Sequence, residues 1–489
     1  MRVLTNMTLY SGPNVSGTSM YNAMQDWCRA WSDLYPNQIY VYLILPKKDL
    51  RGKWLYDESE LDFGNVKILP ASTFAESTER SLDRDNWTIF PSSDEALYYY
   101  PLNLKWYYDV FLDLRISHAC YMKRMLNYGV RGLRHNIPVV TVCHDAILRY
   151  KRNYYQEPNA VRQLHNCIQS DDFVFYTKLD RDMFARECGV KWASPSQVKR
   201  IQSRDIVYAP MDFSYVEEFG KKEGLKRRRD RDTVVFGYHS SFLRKKKPLE
   251  IVEMISKIRA LHDVTMNVTS MQKSIPSFMN KPWITSTLNV GRSEYTPYLF
   301  DCDICIVGSE NETGGRSHWE ELAAGNVLVF KDEPWIHEYI PDWYPYVGET
   351  WEDVAEISLY VVRNLEEARQ KIPSLLEHVK NIVSAEHSSE ILYNVMRKTL
   401  PEKPSMSLDS SLGSLVKSAI DKLDKDRISL MEVNDTIKEV SRNGRAFLEN
   451  RHMSPKLLGR LIESAGYVDA FDAPVPEYIR RDADNENTC

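Results

Sequence analysis

A chain of 489 residues is too long for one ordinary hydrophobic core and divides naturally into two domains and an appendage. Its 43% hydrophobic and 27% charged content excludes a disordered or fibrous chain, and its net charge of −5 with a pI near 6.2 excludes a globally basic nucleic-acid binder. No stretch approaches the ~20 apolar residues of a membrane span, and the first residues lack the apolar run of a signal peptide, so a cytoplasmic protein is expected.

A first short strand leads into Ser11-Gly12-Pro13-Asn14-Val15-Ser16-Gly17-Thr18-Ser19, a turn-forming loop followed by a helix-like segment from Met20. Strand-like runs at residues 39–45, 66–69, 110–114, 139–143 and 173–176 alternate with helix-length segments, and a second series follows at 233–238, 264–268, 304–307 and 327–330. This alternation predicts two doubly wound, mostly parallel sheets, one in residues 1–220 and one in 221–400, with ligands in the cleft between them at the carboxyl ends of the strands.

The run 139–143 ends on His144-Asp145, where active-site groups of an open α/β sheet project, so His144 is the catalytic candidate of the first half. Just beyond it, Arg149-Tyr150-Lys151-Arg152-Asn153-Tyr154-Tyr155 interleaves basic and aromatic side chains of the kind that track phosphates and stack on bases. The charged stretch 221–232 reads as a solvated linker between the domains. The second domain then shows Arg244-Lys245-Lys246-Lys247-Pro248 at the start of an amphipathic helix spanning 249–261.

Cys302 and Cys305 form an isolated Cys-x2-Cys pair inside a strand-like stretch; they read as small buried hydrophobes, and no metal is expected. The eight cysteines are scattered, which suits reduced thiols. Between the runs 304–307 and 327–330 lies Glu312-Thr313-Gly314-Gly315-Arg316-Ser317-His318-Trp319-Glu320, with a helix predicted over 317–324. Gly314 and Gly315 allow a ligand close to the backbone, and the free N–H groups at Arg316 and Ser317 suit a phosphate. The two glutamates sit about 12 Å apart by helical rise, too far for the acid and nucleophile of a retaining hydrolase.

From residue 401 a Pro- and Ser-rich stretch precedes amphipathic segments at 415–423, 428–440 and 457–462, predicting a small helical appendage over 401–489 with a disordered end from residue 480. Its 13 Lys+Arg against 16 Asp+Glu favour oligomerisation or docking over a helix-turn-helix DNA reader.

Glu312-x7-Glu320 followed by Ala323-Ala324-Gly325 resembles the nucleotide-sugar motif of the retaining GT-B glycosyltransferases (family 4-like). The loop with Gly17, the His144-Asp145 strand end, the strand 171–178 and the segment Ile206 to Asp212 fall in that family's order, over roughly residues 1–400. The resemblance implies an α/β fold of GT-B type, two Rossmann-like domains facing a cleft. It further implies that Glu312 contacts the transferred sugar, Gly314 and Gly315 hold the diphosphate, and Glu320 binds the ribose. Gly17 and Thr18 would face the donor diphosphate, His144 the sugar or acceptor, and Asp145 would orient the imidazole or meet the acceptor. The family's arginine after the strand is replaced here by Tyr238 and its glycine at the helix start by Pro248, so Arg244 and one of Lys245 to Lys247, with Lys246 and Lys247 favoured, must neutralise the diphosphate. The implied co-substrate is a UDP- or GDP-sugar, with no further cofactor.

A narrower likeness is to the α-glucosyltransferases that modify hydroxymethylcytosine in phage DNA, through Gly12, Gly17, His144-Asp145, Pro210-Met211-Asp212 and residues 316–330. It implies a DNA acceptor reached by Arg149, Lys151 and Arg152. A saccharide or lipid-linked glycan acceptor and a non-catalytic scaffold are the competing readings.

Overall fold

The computed structural model describes residues 1–6, 19–45, 61–70, 108–114, 123, 137–143, 157–223, 233–270, 272–310, 312, 314–400, 411–440, 458, 461–462, 465, 467–469 and 477–480. The first sheet contains β1 (Arg2–Asn6), β2 (Tyr40–Leu45), β3 (Val66–Pro70), β4 (Val110–Asp113), β5 (Val139–Cys143) and β6 (Asp172–Phe175) in the order β3-β2-β1-β4-β5-β6, every pairing parallel. The second contains β7 (Val234–His239), β8 (Val264–Ser270), β9 (Ile284–Leu288), β10 (Ile304–Val307), β11 (Val327–Lys331) and β12 (Val347–Gly348) in the order β12-β11-β10-β7-β8-β9, again all parallel. Because β4, β5 and β10 are buried along their whole length, they read as unbroken apolar runs, as strands covered on both faces must.

The expected runs all appear as strands, shifted by no more than two residues. Two strands were not expected: β9 because Thr285 and Ser286 are exposed, and β12 because it has two residues. Neither supplies enough pattern to read. Parallel pairing places all carboxyl ends of one sheet on one rim, so the loops after β7 and β10 are neighbours.

The chain crosses between the domains twice, side by side. Met211 N–H donates to the Val383 carbonyl at 2.9 Å and Ala385 N–H to the Met211 carbonyl at 3.0 Å. The helix Ala385–Thr399 thereby returns to the first domain and packs on the helix Ser19–Leu34, where Trp27 Nε1 donates to Ser388 Oγ at 2.9 Å, Trp31 Nε1 to the Ser389 carbonyl at 3.1 Å, and Tyr35 stacks on Tyr393. The hydrophobic core around the first sheet accordingly includes Leu392, Val395 and Met396.

The appendage departs from the all-helical expectation. Helices Ser411–Leu423 and Leu430–Val440 are joined by β13 (Arg427–Ser429), and β14 (Tyr467–Asp469) and β15 (Glu477–Arg480) complete an antiparallel sheet ordered β13-β15-β14. Arg480, expected to open the disordered end, closes β15 instead. Ile428 of the first strand packs with Val416, Ile420, Val433, Ile437 and Leu461 in a core of its own. Helix, strand, helix, helical residues at 458 and 461–462, strand, strand is the order of a winged-helix module.

Candidate active site

After β7 the chain makes a single 3-10 turn, Arg244–Lys246, and then Lys247 adopts a left-handed conformation with φ 54° and ψ 42° before Pro248 opens the helix Pro248–Arg259. That conformation disfavours any residue with a Cβ, and it separates the consecutive lysines. Lys246 turns inward to an ion pair with Glu312. Lys247 turns to Glu310 at 2.5 Å and Glu250 at 3.5 Å, while Arg244 is exposed. Of the basic candidates, Lys246 is the one the fold brings to the Glu312 loop. Tyr238 is buried, stacks on Phe242, and donates its hydroxyl to the Ser241 carbonyl at 2.6 Å, so no cation takes that position.

The second wall is the loop after β10. Gly315, at φ 58°, caps the helix Arg316–Ala323, one residue earlier than expected, and Trp319 Nε1 donates back to the Gly314 carbonyl at 2.7 Å. Gly314 is required for a reason the sequence does not show: a Cβ there would lie 2.5 Å from that of Ala209, at the exit from the first domain. Ser317 is half-buried in the first helical turn. Burial alone would raise the Glu312 carboxyl, but Lys246, His318 and Lys245 together pull it down to about 2, so it is a carboxylate at neutral pH. A small crevice lined by Tyr238, Ser240, Lys246, Gly308, Ser309 and His318 lies between the two loops.

The Arg316 and Glu320 side chains do not enter that crevice. They join a buried cluster across the domains with Asp26, from the Ser19–Leu34 helix, and Arg292, which starts the helix Arg292–Phe300. Arg292 Nε donates to Glu320 and Nη1 to Asp26, each at 2.9 Å; Arg316 Nη2 donates to the other Asp26 oxygen at 2.7 Å, and Arg316 Nη1 to the Pro210 carbonyl. Asp26 also accepts the Asp212 N–H at 3.0 Å. Arg292 lies over the Tyr215 ring, and its Nη2 has no partner among the described residues. Neither Asp26 nor Arg292 stands out in the sequence, since each is a single charged residue in an amphipathic helix and their partners are far away along the chain.

Burial raises the carboxyls of this cluster and the arginines lower them. Asp26, with two guanidinium partners, ends below its usual range, whereas Glu320 ends raised to about 7 because burial, Asp26 and Glu321 outweigh Arg292. The folded protein thus holds a proton on Glu320 more firmly than the unfolded chain does. Its contribution to stability is full below the ordinary value of 4.5 and is lost as pH rises through about 7. Glu320→Gln is expected to flatten that part of the profile; melting temperatures of both proteins from about pH 5 to about pH 8 check it, and parallel profiles would count against it.

Gly17, Thr18, His144, Asp145, Arg149, Lys151 and Arg152 lie outside the described residues. His144 and Asp145 follow Cys143, the last residue of β5. Beneath the crevice, Cys305, His239 and Glu321 converge, a grouping the isolated Cys-x2-Cys reading had set aside.

No protein-family model matches the sequence, and no curated protein matches it. Solved structures do. Sucrose-phosphate synthase from Thermosynechococcus elongatus aligns with a TM-score of 0.59 at 10% identity over 81% of this chain and 98% of its own. HepE from Anabaena, in complex with UDP and glucose, aligns with a TM-score of 0.55 at 12% identity over 81% of this chain and all of its own. The lipopolysaccharide outer core galactosyltransferase WaaB aligns with a TM-score of 0.51 at 12% identity over 82% and 100%. With the two parallel six-stranded sheets, these likenesses establish the fold as GT-B, two Rossmann-like domains.

Proposed function

We propose that this chain is a glycosyltransferase that moves a sugar, with retention, from a nucleotide-diphospho-sugar to an acceptor hydroxyl. The observation that carries the reading is Lys246, aimed at Glu312 beside the open mouth of the Arg316–Ala323 helix, on the rim where GT-B domains face each other. In this reading the donor diphosphate takes the place of the Glu312 carboxylate as the partner of Lys246 and accepts the N–H groups of the helix mouth. Glu312, released, receives the sugar hydroxyls. The bond from the anomeric carbon to the diphosphate oxygen breaks as the acceptor oxygen bonds to the same face. The acceptor proton passes to the departing diphosphate oxygen, and His144 and Asp145 position sugar and acceptor. Exclusion of water protects the donor from hydrolysis.

The bound UDP and UDP-glucose of the HepE structures support a UDP-sugar as donor class. A thermal-shift and calorimetric screen against UDP, GDP, ADP and their sugar conjugates tests this. Stabilisation by one nucleotide class is the expected result, and stabilisation by none overturns the donor reading. Glu312→Ala is expected to keep nucleotide affinity within a few-fold while reducing kcat; unchanged turnover would remove Glu312 from the sugar subsite.

For the acceptor we favour a hydroxymethylated base in DNA. Support comes from the Arg149 to Tyr155 run after the His144-Asp145 strand end and from the winged-helix order of the appendage, a layout common among DNA-binding modules. Duplex binding should weaken steeply with salt, the slope in log K against log[salt] falling by about one for each of Arg149, Lys151 and Arg152 replaced by alanine. Salt-independent binding, or transfer to saccharides alone, would replace DNA with a glycan acceptor.

A further inference from the structure

A point on the core side of β7 collects four metal-ligating side chains from three segments. Gly237 lacks a side chain, and the place its Cβ would occupy lies 2.7 Å from Cys305 Sγ, 2.8 Å from His239 Nε2 and 3.0 Å from Cys302 Sγ. Cys302 Sγ and His239 Nε2 are 3.6 Å apart, and the ligand atoms of His239, Cys305 and Glu321 all lie within 4.8 Å of one another. Sulfur and nitrogen bound to one tetrahedral zinc at about 2.3 and 2.0 Å stand roughly 3.5 Å apart. All four residues are buried.

Two further observations favour an ion over a chance cluster of polar groups. First, His239 Nδ1 is occupied by Thr269 Oγ1 at 2.6 Å, which directs Nε2 toward the cysteines, as a second-shell hydroxyl directs a metal-binding imidazole. Second, the Glu321 carboxylate, 3% exposed, has no lysine or arginine paired with it among the described residues; its partner is His318 Nδ1 at 3.1 Å. A buried carboxylate served only by a histidine is costly, and a dication offsets that cost.

We infer that Cys302, Cys305, His239 and Glu321 form a binding site for one zinc ion. Two thiols and an imidazole select a borderline-soft metal over magnesium or calcium, and two cysteines are too few for an iron–sulfur cluster. On binding, the two thiol protons leave to solvent and both sulfurs bond to zinc. Four protein ligands leave no open position, so the ion is structural. It ties β7, the Cys302–Cys305 segment and the Arg316–Ala323 helix together directly beneath the Lys246 and Glu312 loops. The site stands independently of the donor reading, since none of its four ligands is assigned to the sugar or nucleotide.

The test uses the full chain, purified under reducing conditions without a metal-affinity tag. Elemental analysis is expected to find close to one zinc per chain, lost in Cys302→Ser and Cys305→Ser and kept in Cys188→Ser, whose thiol lies in the other domain. Chelator-treated wild type titrated with cobalt(II) is expected to develop thiolate-to-cobalt charge-transfer and intense tetrahedral d–d bands, and Thr269→Val to weaken zinc affinity by about 10–100-fold. Wild-type protein that carries no zinc and shows no such bands with added cobalt overturns the assignment, as does zinc that both serine variants retain. If the serine variants do not fold, the cobalt spectrum of the wild type decides alone.

Discussion

Lys246→Ala is expected to lower kcat/KM for a nucleotide sugar by about 10²–10³-fold, the usual cost of removing one preorganised group that stabilises developing negative charge. Lys245→Ala and Lys247→Ala should change it far less, because Lys247 is turned to Glu310 and Glu250 rather than to the helix mouth. The substitution also strands the Glu312 carboxylate, which Lys246 helps to hold at a pKa of about 2. The double variant Lys246→Ala with Glu312→Gln separates the two effects. If the single variant loses activity only through folding, its melting temperature falls and the double variant recovers it. If Lys246 serves the diphosphate, the double variant stays inactive and fails to bind nucleotide. Equal losses in all three lysine variants would show a diffuse basic patch and sink the assignment.

Asp26→Ala is expected to destabilise the protein by about 3–5 kcal/mol, because it leaves Arg292 and Arg316 buried with one carboxylate, Glu320, between them. At roughly 2–4 °C per kcal/mol for domains of this size, the melting temperature drops by on the order of 10 °C. Asp33→Ala, at an exposed position on the same helix, should stay within about 0.5 kcal/mol of wild type. A loss at Asp26 no larger than at Asp33 would mean that the cluster is open in solution. The cluster joins residues of both domains to the helix carrying the Glu-x7-Glu motif, so Asp26→Ala is also expected to weaken nucleotide binding without touching the nucleotide.

These two experiments separate what was legible from what was not. Lys246 was one of two favoured lysines; no pattern in Arg244-Lys245-Lys246-Lys247 chooses between them, because the choice rests on the left-handed φ of Lys247 and the 3-10 turn before it. Glu320 was legible as half of a spaced pair. Its occupation by Arg292 was not, since the pairing depends on how two helices meet.

By itself the sequence determined the two parallel sheets, because strands such as β5 and β10, buried on both faces, must be apolar without interruption and alternate with crossover helices. It also located the Glu-x7-Glu helix within one residue, because glycines before it and an Ala-Ala-Gly ending after it are local signals. The tertiary structure alone decided which charges meet across the domains, where the appendage gains its small sheet, and that Cys302 and Cys305 face His239 and Glu321. Local periodicity sets which face of an element is buried. What that face touches depends on the packing of segments hundreds of residues apart, for which short-range spacing carries no information.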